Sequence, residues 1–252
     1  MGLSSNILWH QTDIDGFKDI LKSKCLTCSY CLEFFLDKQH KIGFPMISLS
    51  DIPIADIEEY LDQYGGYSFG FSRDWVIKSG FNPVWYCEKS NQATRQHTRM
   101  LYDRFKNTQK NNNDDIAPIL TLLFYYGAYM KEIEGPLTVK SKNLIYTNYR
   151  FYDEREYRYV PDYNELLNKG VKPFVDEGQY NHYKKEHGNA HLNISLPFTF
   201  NDLKIIIVKT DKQVKKLKKL FKEKDIHIFS HKEIKQSIIG KGHQITRKYI
   251  SK

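Results

Sequence analysis

The sequence lacks the short motifs that mark the commonest nucleotide and hydrolase sites. It has no G-x-x-x-x-G-K-[ST] phosphate loop, no H-E-x-x-H zinc motif and no G-x-S-x-G nucleophile elbow. Its lone G-x-G, at Gly240 and Gly242, is not followed by a predicted helix. P-loop NTPases, H-E-x-x-H metalloproteases and α/β-hydrolases are therefore excluded, and the chemistry has to be argued from individual side chains.

Export signals and membrane-spanning runs are also missing. The first residues, MGLSSNILWHQTD, contain no basic segment followed by an apolar core, and Asn6 stands where a myristoylation pattern needs Ser or Thr. The longest apolar run, IAPILTLLFYYGAYM at 116–130, is shorter than the roughly 20 residues that a membrane span needs. We therefore expect a cytoplasmic protein without a membrane partner, in which residues 114–131 form a buried helix.

Cysteine is scarce, and three of the four cysteines fall in KCLTCSYCLE as Cys25, Cys28 and Cys31. This spacing can hold zinc or an iron–sulfur cluster, with Cys87 or His40 as a fourth ligand. No second C-x-x-C is present, and the apolar neighbours favour a strand with small buried thiols. Three histidines fall in a lysine-rich polar stretch, which favours a solvated face over a zinc site: His182, His187 and His191. We expect no metal.

Aromatic residues and positive charge are abundant. The 252 residues are 40% hydrophobic and 14% aromatic, and they include 18 tyrosines, which is ample for the core of one large domain. The formal net charge is +8, which favours polyanionic partners such as nucleic acid. Lysine dominates the last third of the chain, so any such partner is expected there.

The order of the predicted elements indicates an α+β fold. Strands and helices mix without strict βαβ alternation, which predicts a single domain over 1–238 with mixed, mainly antiparallel sheets flanked by helices. Residues 203–238 read as β-α-β-α and form a candidate C-terminal layer, followed by a basic tail at 239–252. NLIYTN at 143–148 and REYRYVP at 155–161 read as an antiparallel pair of strands.

Two patterns carry candidate chemistry. In FYDEREYRYVP, strand alternation places Glu156 and Arg158 on one face, and Glu154 lies two residues earlier. These charges form either a surface ion-pair network or a pair of carboxylates that holds a sugar hydroxyl and stabilises a developing cation. His10 ends a short apolar strand just before a predicted helix, where it serves either as a satisfied core or capping group or as a partner of ribose hydroxyls.

Four stretches carry a resemblance to the AbiGi family of bacterial abortive-infection proteins: ILWHQTDIDGFKDILKS, MISLSDIPIADIEEYLDQYGGYSFGFSRDWVIKSGFNPVWY, FYDEREYRYVP and LPFTFNDLKIIIV. The D-I-P, Y-G-x-Y-x-x-G-F-S and E-R-E-Y-R segments are the most specific of these. The resemblance implies an anti-phage role. It also implies a place as the antitoxin half of a two-gene module, with a cognate toxin or antitoxin protein as partner.

A more distant likeness to ADP-ribosyltransferases implies that NAD is the substrate and is gripped between two small sheets. Under this likeness His10 holds the ribose, Glu156 is the catalytic glutamate and Glu154 positions the acceptor. Other residues are implied for the remaining contacts with NAD: Ser48, Ser50 or Tyr67 in the middle motif, and Tyr64 or Tyr157 stacking on nicotinamide.

Two functions from different classes follow. One is an ADP-ribosyltransferase-like effector that acts on a protein or nucleic-acid acceptor. The other is a non-enzymatic antitoxin or regulator that binds a partner toxin or nucleic acid through the lysine-rich segments 210–224 and 240–252. Loss of NAD discriminates the first, and salt-dependent binding to DNA or RNA discriminates the nucleic-acid form of the second.

Overall fold

The fold, seen in a computed structural model, is built on one large sheet with helices packed against it. The structure describes residues 6–34, 41–61, 63–88, 91–110, 116–139, 144–187, 192–222 and 224–239. The strands are, in chain order, β1 (Ile7–Thr12), β2 (Cys25–Thr27), β3 (Ser29–Phe34), β4 (Lys41–Ser50), β5 (Tyr67–Ser72), β6 (Asn82–Pro83), β7 (Trp85–Cys87), β8 (Met130–Glu132), β9 (Glu134–Val139), β10 (Leu144–Arg150), β11 (Glu156–Tyr159), β12 (Val175–Asp176), β13 (Ser195–Pro197), β14 (Leu203–Val208) and β15 (His227–Ser230).

Helices of very different length separate these strands. They are α1 (Ile14–Ser23), α2 (Ile57–Leu61), α3 (Arg73–Lys78), α4 (Gln92–Lys110), α5 (Ile116–Tyr129), α6 (Tyr163–Asn168), α7 (Glu177–His187), α8 (Asp211–Leu220) and α9 (His231–Ile239), with a 3-10 turn at Phe151–Glu154. Among the described residues, no helix is both long enough and apolar enough to cross a bilayer.

The main sheet has the strand order β15-β14-β5-β1-β4-β11-β6, and β3 and β12 also pair with β4. Its pairings within the described residues are antiparallel except for β14 with β15. Three two-stranded sheets accompany it: β9 with β10, β2 with β13 and β7 with β8. The expectation of an α+β fold with mainly antiparallel sheets is confirmed.

Both faces of the sheet are covered, which explains the apolar runs Ile7–Trp9 in β1 and Ile205–Val208 in β14. In β1, Leu8 belongs to a large aromatic-rich core on one face, while Ile7 and Trp9 belong to a smaller core on the other. The same division separates Ile206 from its neighbours in β14. Alternate side chains of a strand point to opposite faces, so a strand covered on both sides reads as a continuous apolar run.

Strand β4 pairs with different strands along its length. Its residues Lys41–Met46 pair with β3, and Ile47–Ser50 pair with β11. β4 pairs with β1 at a single position, where Ser50 lies opposite Trp9. By contrast, β1 pairs with β5 along all six of its residues. The ladder between β1 and β4 is therefore short, and the two strands separate beyond this single pair.

Local signals in the sequence located several elements well. Asp13 caps α1 by accepting from the Gly16 N–H at 2.9 Å, and the apolar run forms α5 as expected. The predicted pairing of NLIYTN with REYRYVP is wrong, because β10 pairs with β9 and β11 lies between β4 and β6. The basic tail lies outside the described residues from position 240 onward.

The turn before β5 requires glycine at position 65. Gly65 has φ +102°, and a Cβ there would lie 2.6 Å from backbone atoms of Thr12 and Asp13. We predict that Gly65→Ala lowers the free energy of unfolding by about 2–4 kcal/mol, from left-handed strain plus overpacking. Gly170→Ala is the control, because Gly170 also has positive φ but has nothing within 4 Å of its Cβ position; about 1 kcal/mol is expected. Equal losses in urea unfolding would contradict the steric argument.

Candidate functional site: a cleft beside a buried ion cluster

A polar cleft opens along residues 46–50 of β4, where this strand leaves β3 and meets β1 at a single pair. Residues of β1, β3 and β4 line it, together with side chains from β8, the 3-10 turn and β11. Its cavity volume is about 290 Å³, close to the lower end of the roughly 300–1,000 Å³ found for small-molecule sites. The cleft is therefore large enough for one sugar or one ring together with its polar contacts.

Six of the eight residues singled out from the sequence line this cleft: His10, Ser48, Ser50, Tyr64, Glu154 and Glu156. Tyr157 does not, because it alternates with Glu156 along β11 and turns to the other side, where its hydroxyl accepts from Arg73 at 3.0 Å. Tyr67 does not either; its hydroxyl accepts from Gln213 Nε2 at 2.9 Å. The roles implied for these two tyrosines are therefore not supported by their positions.

Charged side chains form a connected group at the cleft, here called the ion cluster: Glu33, Lys131, Glu154, Glu156 and Arg158. Arg158 is fully buried. Its Nε donates to Glu156 Oε1 at 2.7 Å, one Nη donates to Glu33 and to Glu156, and the other donates to the Ala128 carbonyl at 2.5 Å. The acid and base that the sequence placed on one strand face thus form a buried network rather than a surface one.

Glu156 is held on both of its oxygens. Oε1 accepts from Arg158, and Oε2 accepts from Lys131 Nζ at 2.7 Å and from Arg158 at 3.0 Å. Burial alone would raise the pKa of Glu156, but Arg158 and Lys131 outweigh burial and hold this pKa below its usual value. Burial alone would likewise lower the pKa of Lys131, and the surrounding carboxylates raise it instead. Both groups are therefore charged at neutral pH.

Glu154 stands in a different environment two residues away. Its Oε1 accepts from the hydroxyls of Tyr64 and Tyr149, the latter at 2.9 Å, while its Oε2 lies 3.9 Å from Lys131 Nζ. Burial raises the pKa of Glu154 and the charge of Glu156 adds to that rise, although Lys131 opposes it. Two neighbouring carboxyls thus have pKa values shifted in opposite directions, a pattern that separates acid and base roles in enzyme sites.

The backbone between these carboxyls makes their arrangement possible. Arg155 adopts a left-handed conformation with φ 44° and ψ 55°, and its N–H donates to the Tyr152 carbonyl at 3.2 Å. A non-glycine residue in this region is uncommon, and such residues concentrate at functional sites. Because Arg155 lies between the 3-10 turn and β11, Glu154 and Glu156 both stay buried, at 6% and 5% exposure.

His10 lies where β1 and β4 separate. Its Nδ1 is 3.1 Å from the Ser48 carbonyl oxygen, and because a carbonyl only accepts, Nδ1 carries the proton in this contact. In the neutral ring Nε2 is then an acceptor. Gln11 follows in the same wall, and its buried Nε2 finds no acceptor among the described residues. A buried amide donor beside a cleft indicates a ligand with an acceptor oxygen or nitrogen.

The cysteines give no metal site in the described part of the chain. Cys28 is fully buried, and burial raises the pKa of its thiol. Cys31 lines the cleft, where burial raises its pKa to about 11, so it is a thiol at neutral pH and a poor nucleophile. Within the described residues no group of His, Cys, Asp and Glu could hold an ion. His40 and His191 lie outside them.

Sequence reasoning missed two members of the ion cluster, Glu33 and Lys131. Lys131 follows the apolar helix α5, and a lone lysine at the end of a buried segment is the signal that could have marked it. Glu33 is an acid inside the apolar strand that follows the cysteines. The sequence around these two residues does not identify their partners, because both residues pair with β11, which lies more than twenty positions away.

Fold and site together define an α+β protein with a small polar cleft beside buried carboxylates. A family model described as "Putative abortive phage resistance protein AbiGi, antitoxin" matches residues 24–209. The chain therefore belongs to the AbiGi family. It is 24% identical over 196 residues to the "Abortive phage resistance protein AbiGi" of Lactococcus lactis subsp. cremoris, a match that covers 71% of this chain and 77% of the relative.

These comparisons support a role in anti-phage defence and do not extend to chemistry. No solved structure matches the chain, so the implied ADP-ribosyltransferase fold finds no support there. The word antitoxin in the family description is compatible with a toxin partner and identifies none.

The stability of the fold is expected to respond differently when Glu156 and Glu154 are each replaced by glutamine. The depressed pKa of Glu156 stabilises the fold above its unfolded value of about 4.5, and this stability is lost as the pH falls below that value. The pKa of Glu154 is raised because the fold favours its protonated form. The contribution of this residue to the stability of the fold is therefore lost as the pH rises and the carboxyl ionises. We predict that Glu156→Gln costs about 3–5 kcal/mol at pH 7, because Arg158 and Lys131 lose a buried counter-charge.

Glu154→Gln is the matched comparison. Its amide oxygen can still accept from the two tyrosines, and it never ionises, so at pH 8 this variant should be as stable as the wild type or more stable. Urea unfolding from pH 4 to pH 8 measures both variants. If the two substitutions cost the same at pH 8, the assignment of opposite environments is wrong.

Proposed function

We propose that this AbiGi protein acts in anti-phage defence by breaking the bond between nicotinamide and ribose in NAD and passing ADP-ribose to a protein or nucleic-acid acceptor. One observation carries the proposal: His10, near the start of the chain, lines the same cleft as Glu154 and Glu156. That convergence is what a site for a ribosyl substrate requires, and strand alternation alone does not produce it.

The proposed roles follow from the contacts of each group. The Ser48 carbonyl orients the His10 ring, and this ring binds a ribose hydroxyl of the substrate. Gln11 supplies a buried donor for an acceptor on the same ligand. Ser48 and Ser50 line the wall beside them. A cleft of about 290 Å³ takes the ribose that bears nicotinamide, with the remainder of the dinucleotide outside it.

The contacts of the two glutamates favour Glu154 as the group that meets the substrate. Both oxygens of Glu156 accept from cations, so Glu156 acts as a positioning residue for Lys131 and Arg158. In Glu154, both tyrosine hydroxyls donate to Oε1 and neither donates to Oε2, so Oε2 is the oxygen assigned to the substrate. This assignment exchanges the roles that the ADP-ribosyltransferase likeness implies for the two residues.

The reaction balances without a redox partner or a metal. The C1′–N bond of NAD breaks, and its electron pair passes to nicotinamide, which leaves as a neutral molecule. The ribosyl cation that forms is stabilised by the Glu154 carboxylate. A hydroxyl, amine or water then bonds to C1′ and releases its proton to solvent water. Because the pKa of Glu154 is raised, the rate should increase with pH as this group ionises.

The test incubates the purified protein with NAD labelled in its adenylate portion, with and without extract of phage-infected cells. We expect labelled acceptor or free ADP-ribose from the wild type. Glu154→Gln should lower the rate by about 100-fold or more, as for the loss of one stabilising group in a transition state. Glu177→Gln, at an exposed glutamate of α7, is the matched control and should leave the rate unchanged. An intact NAD pool, or a fully active Glu154→Gln, would reject the proposal.

A second candidate is an antitoxin or regulator that binds a partner and performs no chemistry. The family description favours this function. The contacts of Glu156 favour it too, because Arg158 and Lys131 donate to both of its oxygens. A phage plaque assay separates the two candidates. Under the second, cells carrying Glu154→Gln or His10→Ala should resist phage as well as cells carrying the wild type. Under the first, both substitutions should abolish resistance while the proteins remain folded.

A further inference from the structure

The positive charge of the chain is concentrated in one structural unit. Residues 203–239, which form β14, α8, β15 and α9 and are here called the basic unit, contain eleven lysines and four carboxylates, a formal charge of +7. Residues 1–202 contain 23 Lys and Arg against 26 Asp and Glu, a charge of −3. The basic character of the protein is therefore a property of the basic unit and of the lysine-rich residues that follow it.

Within the basic unit, α8 presents its lysines as an ordered strip. Four of them share the outer face of the helix: Lys212, Lys215, Lys216 and Lys219. At 100° per residue they fall within an arc of about 100°, opposite the buried positions Val214 and Leu217. Seven steps of about 1.5 Å from Lys212 to Lys219 make the strip roughly 10 Å long. All four lysines are exposed.

The strip is held rigidly on the sheet. Thr210 and Gln213 form a capping box at the start of α8, and Gln213 also donates to Tyr67 on β5 at 2.9 Å. After the last turn, Phe221 packs edge-on against Phe200 with ring centroids 5.0 Å apart. A helix fixed in this way presents its charges without an ordering cost for its backbone, so that only the lysine side chains lose freedom on binding.

The charge of the strip is not neutralised within the described residues. None of its four lysines forms an ion pair there. The only acid of α8, Asp211, accepts from the Ser230 hydroxyl at the start of the helix, away from the strip. Four like charges thus stand within about 10 Å of one another, and this repulsion is relieved when an anion binds.

We propose that the strip on α8 binds the phosphate backbone of a nucleic acid, independently of base sequence. Duplex DNA carries one negative charge per about 1.7 Å of axis, so a strip of roughly 10 Å faces several phosphates at once. Lysine meets phosphates as a point charge and does not read bases in the bidentate way of arginine. The apolar side of α8 is buried on the sheet, so the helix cannot insert into a bilayer as an interfacial helix does. The proposal is independent of the chemistry in the cleft.

The experiment measures binding of the full-length protein to a fluorescent duplex DNA and to a single-stranded RNA of the same length, over a range of salt concentrations. Substitution of all four strip lysines by glutamine should weaken binding at least tenfold. It should also make the slope of log K against log salt shallower by up to about four, roughly one for each lost phosphate contact. Which of the two nucleic acids binds more tightly identifies the source of the phosphates.

The matched control removes the same charge elsewhere, at four exposed lysines of the acidic part of the chain: Lys22→Gln, Lys78→Gln, Lys172→Gln and Lys185→Gln. This variant should bind like the wild type and keep the full salt slope. The proposal is overturned if the two quadruple variants weaken binding equally, because net charge alone then explains it. It is also overturned if the wild type fails to bind at low salt. The same holds if polyglutamate of equal charge, or vesicles with anionic lipids, compete as well as DNA does.

Discussion

The fully buried guanidinium of Arg158 is the interaction on which the candidate site depends. It ties β11 to Glu33 on β3 and to the carbonyl at the end of α5, and it holds Glu156, which in turn holds Lys131 on β8. Burying an arginine is costly unless every donor finds a partner. Four elements from three separate parts of the chain must therefore come together before this charge is satisfied, and the wall of the cleft forms as a consequence.

This dependence explains why the two carboxyls differ although they are two residues apart. Both oxygens of Glu156 accept from the buried cations of the cleft wall. The negative charge of Glu156 makes ionisation of Glu154 less favourable. Glu154 remains in contact with tyrosines whose own pKa values are raised by burial and by this carboxylate. A carboxyl that is buried, bonded by neutral donors and adjacent to a fixed negative charge is suited to chemistry, whereas its neighbour is suited to structure.

The sequence predicted local features well and long-range pairing poorly. The helix that follows His10, the apolar helix α5 and the alternation of Glu156 with Tyr157 each follow from neighbours within a few residues. The sequence also brought His10 and the two glutamates together, through a family resemblance rather than through spacing. It could not predict that Arg158 is buried, because that depends on Glu33 and Ala128, which lie far away in sequence, and it paired the strand after 143 with the wrong neighbour.

The separation of charge connects the cleft to the rest of the molecule. The part of the chain that forms the cleft is acidic overall, and the basic unit joins the same sheet through β14 and β5. A polyanion bound at α8 therefore lies on the same sheet as the cleft but on a different element. Binding at α8 would therefore bring a nucleic acid to the protein without filling the cleft. An acceptor could then be recruited independently of the small substrate, and an antitoxin could contact nucleic acid and a partner protein through different faces.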